Sequence, residues 1–206
     1  AVRVKTTAVT GLLFTALNLR SHLWAGRNFA GRVCAIRALD ADRRKKAEAD
    51  APVQWVPAYR SGPMYLYDIS SPVSGQLDWL ATKAPDYLLT NPSNLMALIE
   101  LARARGLRLP SLRQVAIMGE ALSPEVRTAC EEEWNIPVQD IYSAMEVGIV
   151  ALQCPEHKHS HVMVDNVFVE VLKENGQPCK AGELGAVVVT ALHNFAQPLI
   201  RYAVGD

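Results

Sequence analysis

The stretch Gln114–Gly148, QVAIMGEALSPEVRTACEEEWNIPVQDIYSAMEVG, constrains the fold more than any other part of the chain. Val115, Ala116, Ile117 and Met118 form a short unbroken apolar run, the pattern of a strand covered on both faces. Gly119-Glu120 breaks that run. Ser123-Pro124-Glu125 then starts a helix, with a capping hydroxyl, proline in the first turn and an acid near the positive helix end. Val126, Ala129, Cys130 and Trp134 share one face of this helix, and Ile136–Ile141 reads as the next strand. Two successive parallel strands would thus deliver GE and DIYSAME to one carboxyl edge of a sheet, the edge where open α/β sheets bind ligands.

The preceding residues repeat this alternation. Arg3–Lys5 and Arg32–Arg37 read as strands, separated by a helix over 8–25 with Val9, Leu12, Leu13, Ala16, Leu17 and Trp24 as its apolar stripe. Asp40–Asp50 balances four basic against four acidic residues and reads as a solvated loop, with phosphate binding by its basic quartet the lesser alternative. Val53–Ser61 is extended and Tyr65–Ile69 is a strand. Ser71-Pro72 begins a helix that buries Val73, Leu77, Leu80, Ala81 and Ala84. Asp86–Thr90 is another strand, and Asn91-Pro92-Ser93 opens a helix that Gly106 stops. The pattern predicts an α/β fold, a parallel βαβ lobe with helices on both faces. After Gly148 the runs 161–165, 167–172 and 185–192 are β-type, Glu174-Asn175-Gly176 signals a hairpin turn, and nothing helical follows. The expected division is an α/β subdomain over 1–147 and a small, mostly antiparallel β lobe over 148–206.

Composition narrows the function. Lys+Arg and Asp+Glu each number 21, so the formal charge is zero, which offers no electrostatic footprint for nucleic acid or anionic membrane. Four scattered cysteines do not form a disulfide framework, which makes a reducing cytoplasm the expected compartment. The apolar start of the helix over 8–25 only faintly echoes an export signal, and no run approaches the ~18 apolar residues of a membrane span. No Ser–His–Asp order or P-loop lysine argues for a hydrolase.

At the loop after the first strand, Gly119 lets a flat ring approach the backbone, Tyr142 offers a face for stacking, and Glu146 is a hard oxygen ligand suited to a phosphate-bound magnesium. Read alone, these are equally ordinary loop residues. GEALSPEVR followed by YSAMEVG, together with the terminal PLIRYAVGD, resembles the ordered motifs of the AMP-forming acyl-CoA synthetase superfamily. The resemblance is to its phenylacetate–CoA ligase and coenzyme F390 synthetase-like branch, and NPSNLMALIE and SPVSGQLDWL also resemble that branch. It implies that Gly119, Glu120 and Ala121 line an adenine pocket with Asp140 at its edge, that Tyr142 stacks on the ring, and that Asp206 accepts bonds from the ribose hydroxyls. Glu146 would hold magnesium and be the catalytic residue. Met145 stands where the superfamily usually has the hydroxyl that touches the α-phosphate, and Ser143 supplies a hydroxyl two positions earlier, which leaves the phosphate contacts the least secure part of the resemblance.

The implied activity joins a carboxylic acid, aryl or similar, to coenzyme A through an acyl-adenylate, using ATP and magnesium. The alternatives are an adenylation domain loading a carrier protein or amine, and a non-catalytic nucleotide-binding module. The resemblance covers the central part of such an enzyme, so the isolated chain is expected to be incomplete and poorly active; homo-oligomerisation is left open. Trp55, Tyr59, Tyr65 and Tyr67 are candidate pocket aromatics or simply core. Finally, Cys154, His157 and His161 within CPEHKHSH suit a structural zinc if the segment is extended, with Cys179 or His193 as a further ligand and a surface histidine cluster as the equal alternative.

Overall fold

The computed structural model describes residues 4–56, 59–154, 156–157 and 159–205. They fall into two compact units, Ala25–Ile141 and a second formed by Ala1–Trp24 with Tyr142–Asp206. The N-terminal helix, α1 (Ala8–Trp24), therefore belongs with the C-terminal residues.

The Ala25–Ile141 unit alternates strands and helices: β1 (Val33–Arg37), α2 (Ala41–Glu48), β2 (Val53–Gln54), β3 (Pro63–Asp68), α3 (Val73–Lys83), β4 (Tyr87–Thr90), α4 (Pro92–Arg105), β5 (Gln114–Met118) and α5 (Pro124–Trp134). β6 (Val138–Ala144) begins here and ends in the other unit. The strand order is β2-β3-β1-β4-β5-β6, and every pairing is parallel except β2 with β3. Both faces of this sheet are covered. Cys34 and Ile36 of β1 pack in the main core with Leu77, Leu80, Leu95, Leu98, Ile99 and Cys130 from α3, α4 and α5. Ala35, between them, packs on the opposite face with Leu39, Leu66 and Ala47 of α2.

α2 corrects the expectation of a loop over Asp40–Asp50. Asp40 accepts a hydrogen bond from the Arg43 amide at 2.8 Å, and Asp42 in the first turn with Lys45 and Lys46 in the last complement the helix dipole. A helix this short shows almost no apolar periodicity, which hid it. At the N-terminus Val4 and Lys5 lie in no strand, and Arg3 is outside the described residues.

In the second unit the end of β6 is followed in the sheet by β7 (Gly148–Gln153) and β8 (Ser160–Val162), an antiparallel hairpin. A separate sheet has the order β11-β10-β9, from β9 (Val167–Leu172), β10 (Ala186–Ala191) and β11 (Tyr202–Ala203), all antiparallel. β7 was missed because GIVALQ is buried almost throughout and carries no alternation. α1 buries Leu17 and Ser21, whereas Val9 and Leu12, expected in its apolar stripe, are exposed.

A buried polar network crosses the carboxyl edge of the Ala25–Ile141 sheet. Gln76 of α3 is fully buried and donates to the carbonyls of Ile69 (3.1 Å) and Ser71 (2.8 Å). Asn94 in the first turn of α4 donates to Gln76 Oε1 at 2.8 Å and Thr90 Oγ1 at 3.0 Å. These bonds join the starts of α3 and α4 to the end of β4. Asn94→Leu leaves Gln76 Oε1 without that donor and is expected to destabilise the chain by about 1–3 kcal/mol in urea denaturation; an unchanged midpoint would show that the network contributes nothing.

Candidate functional site

The GE turn sits where β5 ends. Gly119 has φ +89°, a left-handed conformation that favours glycine, although a Cβ there would have ordinary space beside Asn91. Glu120 then reaches back to α4. Its carboxylate accepts from the Ser93 amide at 3.0 Å, the Ser93 hydroxyl at 2.9 Å and Asn91 Nδ2 at 3.1 Å. Asn91 occupies the cap position of α4 but makes no side-chain capping bond of its own. Glu120 supplies the missing acceptor from a different loop, and its charge lies at the positive end of the helix. Burial raises the Glu120 carboxyl, but the bonds from Ser93 and Asn91 outweigh it and hold the group below its ordinary value.

Both oxygens of Glu120 are thus engaged by protein groups, so this side chain positions the turn. Ala121 follows, exposed, and Ser123 starts α5 by accepting from the Val126 amide at 3.4 Å. Asn91 and Ser93 were read in the sequence only as a helix start; the paired signal was an acid after GE and two polar side chains around Pro92. On the neighbouring strand β6, Asp140 lies beside Ile117 of β5. Burial pushes its carboxyl above the ordinary range, partly countered by the Arg127 charge.

β6 continues into the second unit with Tyr142 and Ser143, and Glu146 follows in the turn before β7. Tyr142 and Ala144 pack against the same buried Val147, Val150, Val167 and Val189 as do Leu199, Tyr202 and Val204, so the YSAME and PLIRYAVG segments share one core. Tyr202 donates its hydroxyl to Glu146 Oε1 at 3.3 Å, and burial, then the Glu146 charge, raises the tyrosine's pKa. Tyr202 had not been singled out for this role. Met145, in the same turn, is 93% exposed, so it makes no packing contribution that would explain its presence. Arg201, the residue before β11, pairs with Glu170 of β9 at 3.2 Å, a structural link. Asp206, assigned to the ribose, lies outside the described residues.

The four aromatics separate. Trp55 stacks on Phe29 at 5.4 Å between centroids and Tyr59 tilts against the same ring, while Tyr67 packs on Trp79 and Tyr65 sits under the Lys83 ammonium. They do not line one common pocket. Among the zinc candidates, Cys154 Sγ is 3.7 Å from His157 Nδ1, whereas the His161 ring packs edge-on to Trp24 at 5.9 Å. His193 bonds the Asp165 carbonyl through Nε2 at 2.8 Å, and Cys179 Sγ lies 3.5 Å from the Leu184 carbonyl. Among the described residues, no group of three or more His, Cys, Asp or Glu side chains is arranged as a ready metal site.

The Glu120 clamp has measurable consequences. Glu120→Ala is expected to cost roughly 0.5–2 kcal/mol, as for loss of a helix cap. Because the folded carboxyl is held low, the clamp contributes fully above the ordinary glutamate value near ~4.3 and is lost as pH falls through the lowered one. Carboxyl NMR should show Ser93→Ala moving the Glu120 titration upward, with faster amide exchange at 119–121. An unmoved titration would mean that the clamp is not formed in solution.

A family model described as AMP-binding enzyme matches residues 51–196. Over 146 residues the chain is 30% identical to phenylacetate-coenzyme A ligase of Thermus thermophilus and 28% identical to that of Pseudomonas putida; each alignment covers 66% of this chain and 33% of the relative. The chain thus spans about a third of the length of these relatives. The fold resembles 2-hydroxyisobutyryl-CoA ligase in complex with 2-HIB-AMP and CoA, with TM-score 0.75, 22% identity and coverage of 94% of this chain and 46% of that one. It also resembles the anthranilate CoA ligase AuaEII in complex with anthranoyl-AMP, with TM-score 0.67, 16% identity and coverage of 95% and 40%. No helix among the described residues is long and apolar enough to cross a membrane. The parallel sheet, the GE turn and the YSAME segment lie within the match over 51–196, which covers most of the chain: the chain belongs to the AMP-binding enzyme family.

Proposed function

We propose that this chain is the nucleotide-handling part of an ATP-dependent, AMP-forming acid–CoA ligase of the phenylacetate–CoA ligase kind. The observation that carries the reading is the meeting of two motifs distant in sequence, through the Tyr202–Glu146 bond and the one valine core against which Tyr142, Leu199 and Val204 all pack. The relatives named phenylacetate-coenzyme A ligase support an aryl acid as substrate.

In this reading a carboxylate oxygen of the acid attacks the α-phosphorus of ATP and pyrophosphate leaves. The thiolate of coenzyme A then attacks the acyl carbonyl and AMP leaves. Catalysis of the first step needs an in-line arrangement and neutralisation of phosphate charge. Gly119, Glu120 and Ala121 shape the turn offered to adenine, with Asp140 on the adjacent strand, and Tyr142 supplies the stacking face. Ser143 is the hydroxyl nearest in sequence to the position Met145 fills.

Glu146 fits a magnesium site: it is a half-buried carboxylate in a tight turn, with Oε1 oriented by the Tyr202 hydroxyl. Bound there, the ion would offset phosphate charge. Asp206 is proposed to accept the ribose hydroxyls, as the PLIRYAVGD motif implies. A reducing cytoplasmic setting follows from the cysteine usage.

Calorimetry with AMP and magnesium on the 206-residue chain tests the nucleotide assignment. Tyr142→Ala is expected to weaken binding by about 1–3 kcal/mol, the value of a base–aromatic stack, and Asp206→Ala should weaken it as well. Equal affinity in all three proteins, or no binding by any, favours a non-catalytic interaction module. For the acceptor, the full-length parent protein with ATP and phenylacetate should exchange pyrophosphate and form a thioester with coenzyme A. An adenylate consumed only by a carrier-protein thiol or an amine would replace the coenzyme A assignment.

A further inference from the structure

We propose that the β7–β8 hairpin is a zinc site formed by Cys154, His157 and His159, with water as the fourth ligand. The inference is independent of the ligase reading. Its basis is the loop that closes the hairpin. Ala151 pairs with Val162, Leu152 with His161 and Gln153 with Ser160, so Cys154 and His159 are the first residues beyond the pairing, one on each side of the loop. The end of the pairing therefore starts a thiol and an imidazole from the two sides of one short loop.

His157 adds the second imidazole from within the loop. Its Nδ1 is 3.7 Å from Cys154 Sγ. A tetrahedral zinc with bonds of about 2.3 Å to sulfur and about 2.0–2.1 Å to nitrogen sets those two atoms about 3.6 Å apart. The His157 and His159 ring centroids are 4.9 Å apart. Two imidazoles radiating from one such ion have centroids about 5 Å apart. His159 turns its face to His157, so the third donor is not yet aimed at the pair, which is why no ready three-donor group is present among the described residues. Both histidines are exposed, so their rings can rotate without repacking a core.

His161 stands in the same row, 5.5 Å from His159, but Trp24 of α1 holds its ring edge-on. That contact ties it to the helix and removes it from the set, in place of the His161 expected from sequence alternation. A thiolate with imidazoles selects zinc over magnesium or calcium, which prefer oxygen. Binding releases the Cys154 thiol proton to solvent, and the ion closes the loop at the point where the hairpin pairing ends.

The test is metal titration of the chelator-stripped 206-residue chain with cobalt(II), followed by displacement with zinc(II). One ion per chain is expected, with a near-ultraviolet thiolate-to-cobalt band and the intense visible bands of tetrahedral geometry. C154S should abolish the thiolate band, and H157A and H159A should each weaken zinc affinity by about tenfold or more, as loss of one ligand of a tetrahedral site requires. C179S and H161A should bind as the native chain does. No stoichiometric uptake, a thiolate band that survives C154S, or loss of binding in H161A with full binding in H159A would each overturn the proposal. Circular dichroism of every variant separates loss of a ligand from loss of the fold.

Discussion

Parallel pairing is the constraint on which the rest of the Ala25–Ile141 unit depends. A parallel strand must be reached by a crossover, so each of β1, β3, β4, β5 and β6 ends at the same edge of the sheet. The crossovers also cover both faces, which is why Val115 and Ile117 are fully buried and Ala116 nearly so. Within β5 the buried positions are apolar, and the chain turns polar where the strand ends, at Gly119-Glu120.

An edge crowded with helix starts leaves many amide donors to satisfy, and the structure meets this need by exchange between loops. The first turn of α4 is bound on one side by Gln76 through Asn94 and on the other by Glu120 through Ser93 and Asn91. α4 therefore fixes the GE turn, and the main core beneath it fixes α4. A glutamate that sequence reasoning assigns to a ligand pocket does its observable work as a cap in trans. That cap holds the backbone of the turn in place.

Legibility in the sequence followed the strength of local patterns. The strand–turn–helix over Gln114–Trp134 was readable because an unbroken apolar run, a capping serine and Pro124 coincide within a few residues. α2 was not, since DRRKKAE is polar all round and its evidence is the Asp40 cap and end charges. In α1 the helix was legible but its inward face was not: Leu12 is 70% exposed while Ser21 is buried. The four aromatics looked like one set in sequence, yet β3 places Tyr65 and Tyr67 on one face against the main core, while Trp55 and Tyr59 gather on Phe29. The histidine row was visible in its spacing, but only the fold decided that His157 lies beside the Cys154 thiol while His161 packs on Trp24.

By itself the sequence determined the order and kind of most elements, the glycine and acid that end β5, and the motifs that mark the family. Those properties are local, set by side-chain periodicity, φ preference and capping chemistry over a few residues. Tertiary structure alone decided that α1 joins the C-terminal residues, that Glu120 bonds α4, and that Tyr202 meets Glu146. Each of these joins residues far apart along the chain. Such contacts are selected by how whole elements pack and by which buried polar groups need partners, and no short window of sequence carries that information.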